Sequence, residues 1–289
     1  MMKVEDVGMA LEKDVLNACK PDCLAPAAIE AKAETVAVGK TKLEPGRAFV
    51  LAVLAGMFIG CGALFMTYVK SDGSLPFAAS QILGGLCFSL GLITVIVAGA
   101  ELFTGNNLMV TAALSGKASW GGVLKNWVLV WVGNFVGSLV LVFIVLGANC
   151  AGMNGGEVGS AMQTVAAGKI GLGPLVIFCR AIGCNFLVCL AVWMGFAGRT
   201  VIDKIFTTIF PVMAFVAMGF EHCVANMFFL PMGVLAKATG VAYTGTADIS
   251  VLTWGGAFYN IGIATLGNIV GGAIFVGLLY WLAYAKREK

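Results

Sequence analysis

Between Ser74 and Ser115 the chain carries one charged residue, Glu101. No polar loop divides this apolar run. A membrane helix needs about 20 apolar residues to cross roughly 30 Å of hydrocarbon. The run is too long for one crossing, and without a loop it does not make two. A second run of the same kind, Ile205–Ala236, holds only Glu221 and the single histidine of the chain, His222. An ionisable side chain inside a span costs on the order of a few kcal/mol. Both segments therefore read as interrupted helices, each with an acid at its break.

Four ordinary runs surround them: Ala48–Val69, Asn126–Ala148, Pro174–Ala197 and Trp254–Ala285. The expected architecture is an all-α integral membrane protein of six spans, with spans 2 and 5 interrupted. Composition agrees: 60% of residues are hydrophobic and 11% charged, where soluble domains carry about 25% charged residues. A net charge of +3 gives no case for nucleic acid. The first apolar run starts at Ala48, so a cleavable signal peptide is not evident.

Lysine and arginine placement sets the orientation. With both termini inside, fourteen positives face the cytoplasm, three (Lys70, Lys169, Lys237) face outward, and Arg180 lies in a span. The positive-inside rule then places both termini in the cytoplasm of a plasma-membrane protein. Residues 1–46 are expected as a cytoplasmic segment with an amphipathic helix near Ala27–Ala37. Residues 47–286 form one pore domain, and 287–289 a short tail. Six of the nine cysteines lie in apolar runs and read as free packing thiols. Cys19 and Cys23, with one remote histidine, make no metal set, and no cofactor motif is present.

The two interrupted segments match. Gly99–Asn106, "GAELFTGN", aligns with Gly219–Asn226, "GFEHCVAN", at an offset of 120. In the next spans "GNFVG", Gly133–Gly137, aligns with "GNIVG", Gly267–Gly271, at an offset of 134. Residues 47–150 and 172–286 therefore read as repeats of three spans each, and an odd number of spans makes the repeats inverted. Interrupted helices in corresponding positions of inverted repeats point to a transport site near the midplane.

"VAGAELFTG" (Val97–Gly105), "AIGCNFLVCLA" (Ala181–Ala191) and "GFEHCVANMFFLPMG" (Gly219–Gly233) resemble signature segments of the formate/nitrite transporter family. The resemblance covers about Pro26 to Tyr284. It implies an aquaporin-like fold, a homopentamer with one pore per protomer, and passage of small monovalent anions such as formate, nitrite or hydrosulfide, often with a proton. An aquaporin itself is disfavoured, because Asn106 and Asn226 are not followed by Pro-Ala.

Site residues follow from both readings. His222, beside an acid in a break, matches the family's central histidine and can give a hydrogen bond or a proton to an anion. By resemblance Thr104 is the hydroxyl opposite it and Asn268 lies close by, while Asn134 reads as packing. Glu101 and Glu221 are expected to accept backbone N–H groups freed at the breaks, and the family implies a bond from Glu221 to Asn185. It also implies a cytoplasmic-side constriction of Phe88 and Leu92, and an outer one of Phe103 with Phe215. Phe215 and His222 share a face if their helix continues. Lys40 and Lys169 match lysines at the pore mouths, where their field would collect anions. Arg180 has two placements: snorkelling to the outer interface, or a pair with Glu157. An enzyme is not expected, since no nucleophile–base pair is present. A membrane scaffold without transport is the alternative of another class, but a scaffold has no use for matched acids at matched breaks. Formate is the anion this reading favours, with nitrite and hydrosulfide as alternatives.

Overall fold

The computed structural model describes residues 23–285. The expectations for residues 1–22, Cys19 included, and for 286–289 lie outside the described residues. Every regular element among the described residues is helical. Helix α1, Pro26–Thr41, precedes α2, Pro45–Lys70, and α3, Phe77–Thr94. A π-helical turn, Val95–Gly99, extends α3 to the first break. Beyond it lie a 3-10 turn, Gly105–Met109, and the short α4, Val110–Leu114. Then follow α5, Trp120–Gly147, α6, Glu157–Ile170, and α7, Pro174–Ala197. Helix α8, Val201–Ala217, ends at the second break, and α9, Cys223–Ala238, resumes after it. Helix α10, Trp254–Ile269, runs through a π-helical stretch, Val270–Leu278, into α11, Leu279–Tyr284.

Five of these helical stretches are long and apolar enough to cross a membrane: Pro45–Lys70, Phe77–Gly99, Trp120–Gly147, Pro174–Ala197 and Trp254–Tyr284. The fifth run of the sequence is split into arms of 17 and 16 residues, each too short to cross alone. The split of the first run is unequal, since its leading arm, Phe77–Gly99, spans 23 residues.

Polar caps fix where the helices start. Glu44 accepts the N–H groups of Gly46 and Arg47 ahead of α2. Ser119 and Thr253 cap α5 and α10, and Thr200 with Asp203 forms a capping box on α8. Small residues set the packing. Helix α2 lies on α3 and α5, and α7 lies on α8 and α10. A Cβ on Gly137 of α5 would run into the Val53 carbonyl of α2, and one on Gly271 into the Ile182 carbonyl of α7. These glycines permit backbone contact where lipid offers helices no hydrophobic drive to associate.

One element was not visible in the sequence, and another departs from its expected form. Helix α6 occupies the linker between the repeats and packs against α9. Helix α1 exists where an amphipathic helix was expected, but its buried face is mixed: Ile29, Ala33 and Ala37 alternate with Glu30 and Glu34. Glu34 is satisfied by Lys117 and Ser115, and Ser115 also accepts the Trp281 indole N–H at 2.7 Å.

Candidate functional site

Each break begins at a glycine with positive φ, +86° at Gly99 and +69° at Gly219. A Cβ is strained in that region, so glycine is the residue that turns the chain there. The backbone then unwinds through Thr104 in one case and through His222 in the other. Unwound backbone away from water must find partners. Asn134 supplies them at the first break: its Oδ1 accepts Phe103 N at 2.9 Å, and its Nδ2 donates to the carbonyls of Ala52 and Glu101 at 2.8 and 2.9 Å. Asn268 does the same at the second. Its Oδ1 accepts Cys223 N at 2.9 Å, and its Nδ2 donates to the carbonyls of Ala181 and Glu221 at 2.8 and 2.9 Å.

This corrects two expectations. The asparagines, not the glutamates, hold the freed backbone, and Asn134 is a brace rather than a packing residue. A primary amide offers donors and an acceptor on one side chain, so it can serve an N–H and carbonyls together; a carboxylate can only accept.

The glutamates hold side chains instead. Glu101 Oε1 pairs with Lys40 Nζ at 2.5 Å, and Oε2 accepts Asn106 Nδ2 at 2.7 Å. Asn106 also donates to Asn126 Oδ1 at 2.8 Å. In the second break Glu221 Oε1 pairs with Lys169 Nζ at 2.8 Å, and Oε2 accepts Asn226 Nδ2 at 2.6 Å. Asn226 in turn donates to Asn260 Oδ1 at 2.7 Å. Lys40 and Lys169 stand in the last turns of α1 and α6. Each forms an ion pair whose carboxylate is buried and whose ammonium is partly buried. Asn126 and Asn260 were missed in the sequence, although each lies eight residues before a bracing asparagine (134 − 126 and 268 − 260).

Asn185 lies between the two breaks. Its Nδ2 reaches the Thr104 carbonyl at 3.2 Å, Asn107 Oδ1 at 2.8 Å and the Asn268 carbonyl at 2.7 Å. The expected bond to Glu221 is not among these, because Glu221 is already taken by Lys169 and Asn226. Cys189, one turn on, donates to the same Thr104 carbonyl at 3.3 Å. The cysteines of the apolar runs are free.

The breaks meet at Thr104 Oγ1 and His222 Nε2, 2.9 Å apart and both buried. His222 is also the N-cap of α9, its Nδ1 accepting Ala225 N at 3.0 Å. A nitrogen that accepts carries no proton, so the neutral ring has its hydrogen on Nε2 and donates it toward Thr104. The Thr104 hydroxyl proton is then free for a further acceptor.

Two chambers flank this contact. The larger, about 580 Å³, is lined by Lys40, Leu51, Leu92, Glu101 and Leu102, with α1 along one wall. The smaller, about 170 Å³, is lined by Lys169, Phe88, Phe215, Glu221, His222 and Phe229. The aromatic pairings differ from those expected. Phe88 packs edge-on against Phe215, ring centroids 5.7 Å apart, while Leu92 faces the other chamber with Leu102. One turn, about 5.4 Å along the axis, separates Phe88 from Leu92, and the two line different chambers. Phe103 lines neither chamber and packs on Trp127. Phe215 and His222 do meet, stacked at 5.9 Å, though α8 ends at Ala217 before reaching the histidine. Glu157 bonds Thr244, and no ion pair joins it to Arg180 among the described residues.

The family model described as formate/nitrite transporter matches residues 27–282. The chain is 38% identical over 277 residues to the formate channel FocA of Escherichia coli strain K12, covering 92% of this chain and 96% of that one. A solved structure described as a pentameric formate channel with formate bound is 40% identical, with a TM-score of 0.73, over 84% of this chain and 98% of that one. Another, described as an ion channel of the same family, has a TM-score of 0.78 at 28% identity, over 89% of this chain and 98% of that one.

Proposed function

The chain belongs to the formate/nitrite transporter family, and from that premise we propose that it is a membrane channel for small monovalent anions, formate foremost. The observation that carries this reading is the Thr104–His222 contact, where both broken segments end between two chambers. An anion leaving water for an apolar neck pays a large desolvation penalty unless hydrogen-bond donors replace its shell. The His222 Nε2–H and the Thr104 hydroxyl are such donors, placed between Leu92 and Phe215. Protonating the ring on Nδ1 would break its cap to Ala225 N, so the anion passes as the hydrogen-bonded partner of a neutral imidazole. Any proton that accompanies it joins at the chamber mouths, from bulk water.

The same reading takes the fold as two inverted three-span repeats in an aquaporin-like arrangement. Six braces recurring at offsets of 120, 129 and 134 support it: Glu101/Glu221 and Asn106/Asn226; Lys40/Lys169; Asn126/Asn260 and Asn134/Asn268; and the Ala52/Ala181 carbonyls. Both termini are cytoplasmic on this view, five copies assemble, and residues 47–286 form the pore domain. The larger chamber then opens inward and the smaller outward.

Purified protein in liposomes, given labelled formate with nitrite or hydrosulfide as competitors, decides the matter. The expected result is saturable formate uptake, reduced at least about tenfold by His222→Asn, which removes a charge-assisted hydrogen bond. Uptake that ignores the substitution would defeat the role of His222. Preferential uptake of a competitor would reassign the anion.

A further inference from the structure

Arg180 lies inside α7, well past its start at Pro174, and lines the smaller chamber with Lys169 and His222. No ion pair satisfies it among the described residues. Its guanidinium rests against Gly219, whose ideal Cβ position is 3.8 Å from Nη1. Its backbone carbonyl is used separately, accepting Glu221 N at 3.3 Å. An arginine within a span normally pairs with an acid or faces a water-filled cavity. Here Glu221 is committed to Lys169, so the chamber carries two cations against one carboxylate, and the excess charge belongs to Arg180.

A guanidinium is a rigid fork of parallel N–H donors that fits a planar group with two oxygens. Formate and nitrite present two oxygens, whereas hydrosulfide presents one sulfur. We propose that Arg180 is the loading site of the smaller chamber, binding two-oxygen monovalent anions before they reach His222 and Thr104. The proposal rests on the channel reading above and adds a selectivity step to it. Aromatic walls from Phe215, Phe220 and Phe229 limit the space beside the fork, so small planar anions fit and bulky carboxylates do not.

The experiment uses the full chain in proteoliposomes and measures initial flux against concentration for formate and for hydrosulfide. Arg180→Gln removes charge and fork; Arg180→Lys keeps the charge and removes the fork. The expected half-saturating formate concentration rises about tenfold in Arg180→Gln and about threefold or more in Arg180→Lys, the loss of a bidentate contact. Maximal formate flux stays near that of the unsubstituted protein, which also shows that the variants fold. Hydrosulfide half-saturation stays within about twofold in Arg180→Lys, since a point charge suffices for an anion with one acceptor atom. Equal shifts for both anions, or none, would overturn the proposal. Absence of formate flux in the unsubstituted protein would instead sink the channel reading, and the loading site with it.

Discussion

Asn134 and Asn268 each make three hydrogen bonds to the backbone of a break, and both are fully buried. Truncation leaves the N–H of Phe103 or Cys223 and the carbonyl of Glu101 or Glu221 without that partner, at about 1–3 kcal/mol for each orphaned group. Asn134→Ala and Asn268→Ala should therefore each destabilise by more than about 2 kcal/mol on the same ground, read as a drop in the detergent unfolding midpoint. A loss below that in both would mean the breaks are held by something else. The ion pairs behave differently. Glu221→Gln alone strands Lys169 and should cost about 3–5 kcal/mol, as should Lys169→Met, while the double substitution recovers most of it. Equal damage from single and double variants would show that the pair matters only through Asn226. The sequence displayed these acids and asparagines at matched spacings but not which groups they would serve. Spacing reports who is near; donor and acceptor capacity decides who bonds, and that led the glutamates to be given the asparagines' part.

Elements were legible wherever hydrophobic length settled the matter. The spans and both breaks follow from run length and from an acid that lipid would reject. Helices α6 and α1 were harder, since neither spans and each is fixed by contacts from afar. Helix α1 holds two glutamates on its buried face, four residues apart and so on one side of the helix. Burial pushes the Glu30 carboxyl up to about 7, and the neighbouring Glu34 adds to the shift. Lys117 lowers it in part. Glu30 has an oxygen without a partner, consistent with a group that docks best protonated. The sign follows. A carboxyl raised above its free value stabilises docking at acid pH, and that contribution fades as pH rises from about 4.5 to about 7. Amide exchange in Pro26–Thr41, corrected for intrinsic rate, should quicken as pH rises from about 4.5 to about 7 and level off above that, and Glu30→Gln should remove the dependence. Protection that does not change with pH would show that Glu30 plays no part in docking α1.

At the scale of the whole molecule, near-symmetry of the braces contrasts with asymmetry of the path. Leu102 stands where the second half has His222, and Val224 where the first has Thr104. Lys–Glu–Asn supports recur in both halves, while Thr104 and His222, the pair proposed to meet the anion, have no counterpart of their own kind. Phe88 and Leu92 illustrate what helical spacing alone leaves open: they share a face but lie at different depths, on opposite sides of the neck. Depth depends on where the opposing break sits, which only tertiary packing fixes.

The two chambers also differ in how many water molecules they can hold. At roughly 30 Å³ per water, about 580 Å³ has room for some twenty molecules, and about 170 Å³ for five or six. The larger chamber therefore has room for an anion with its full hydration shell. One entering through the smaller chamber arrives already crowded. Both directions cross the same barrier, so an osmolyte too large to enter either chamber should draw more water from the larger one while lowering influx and efflux by one common factor.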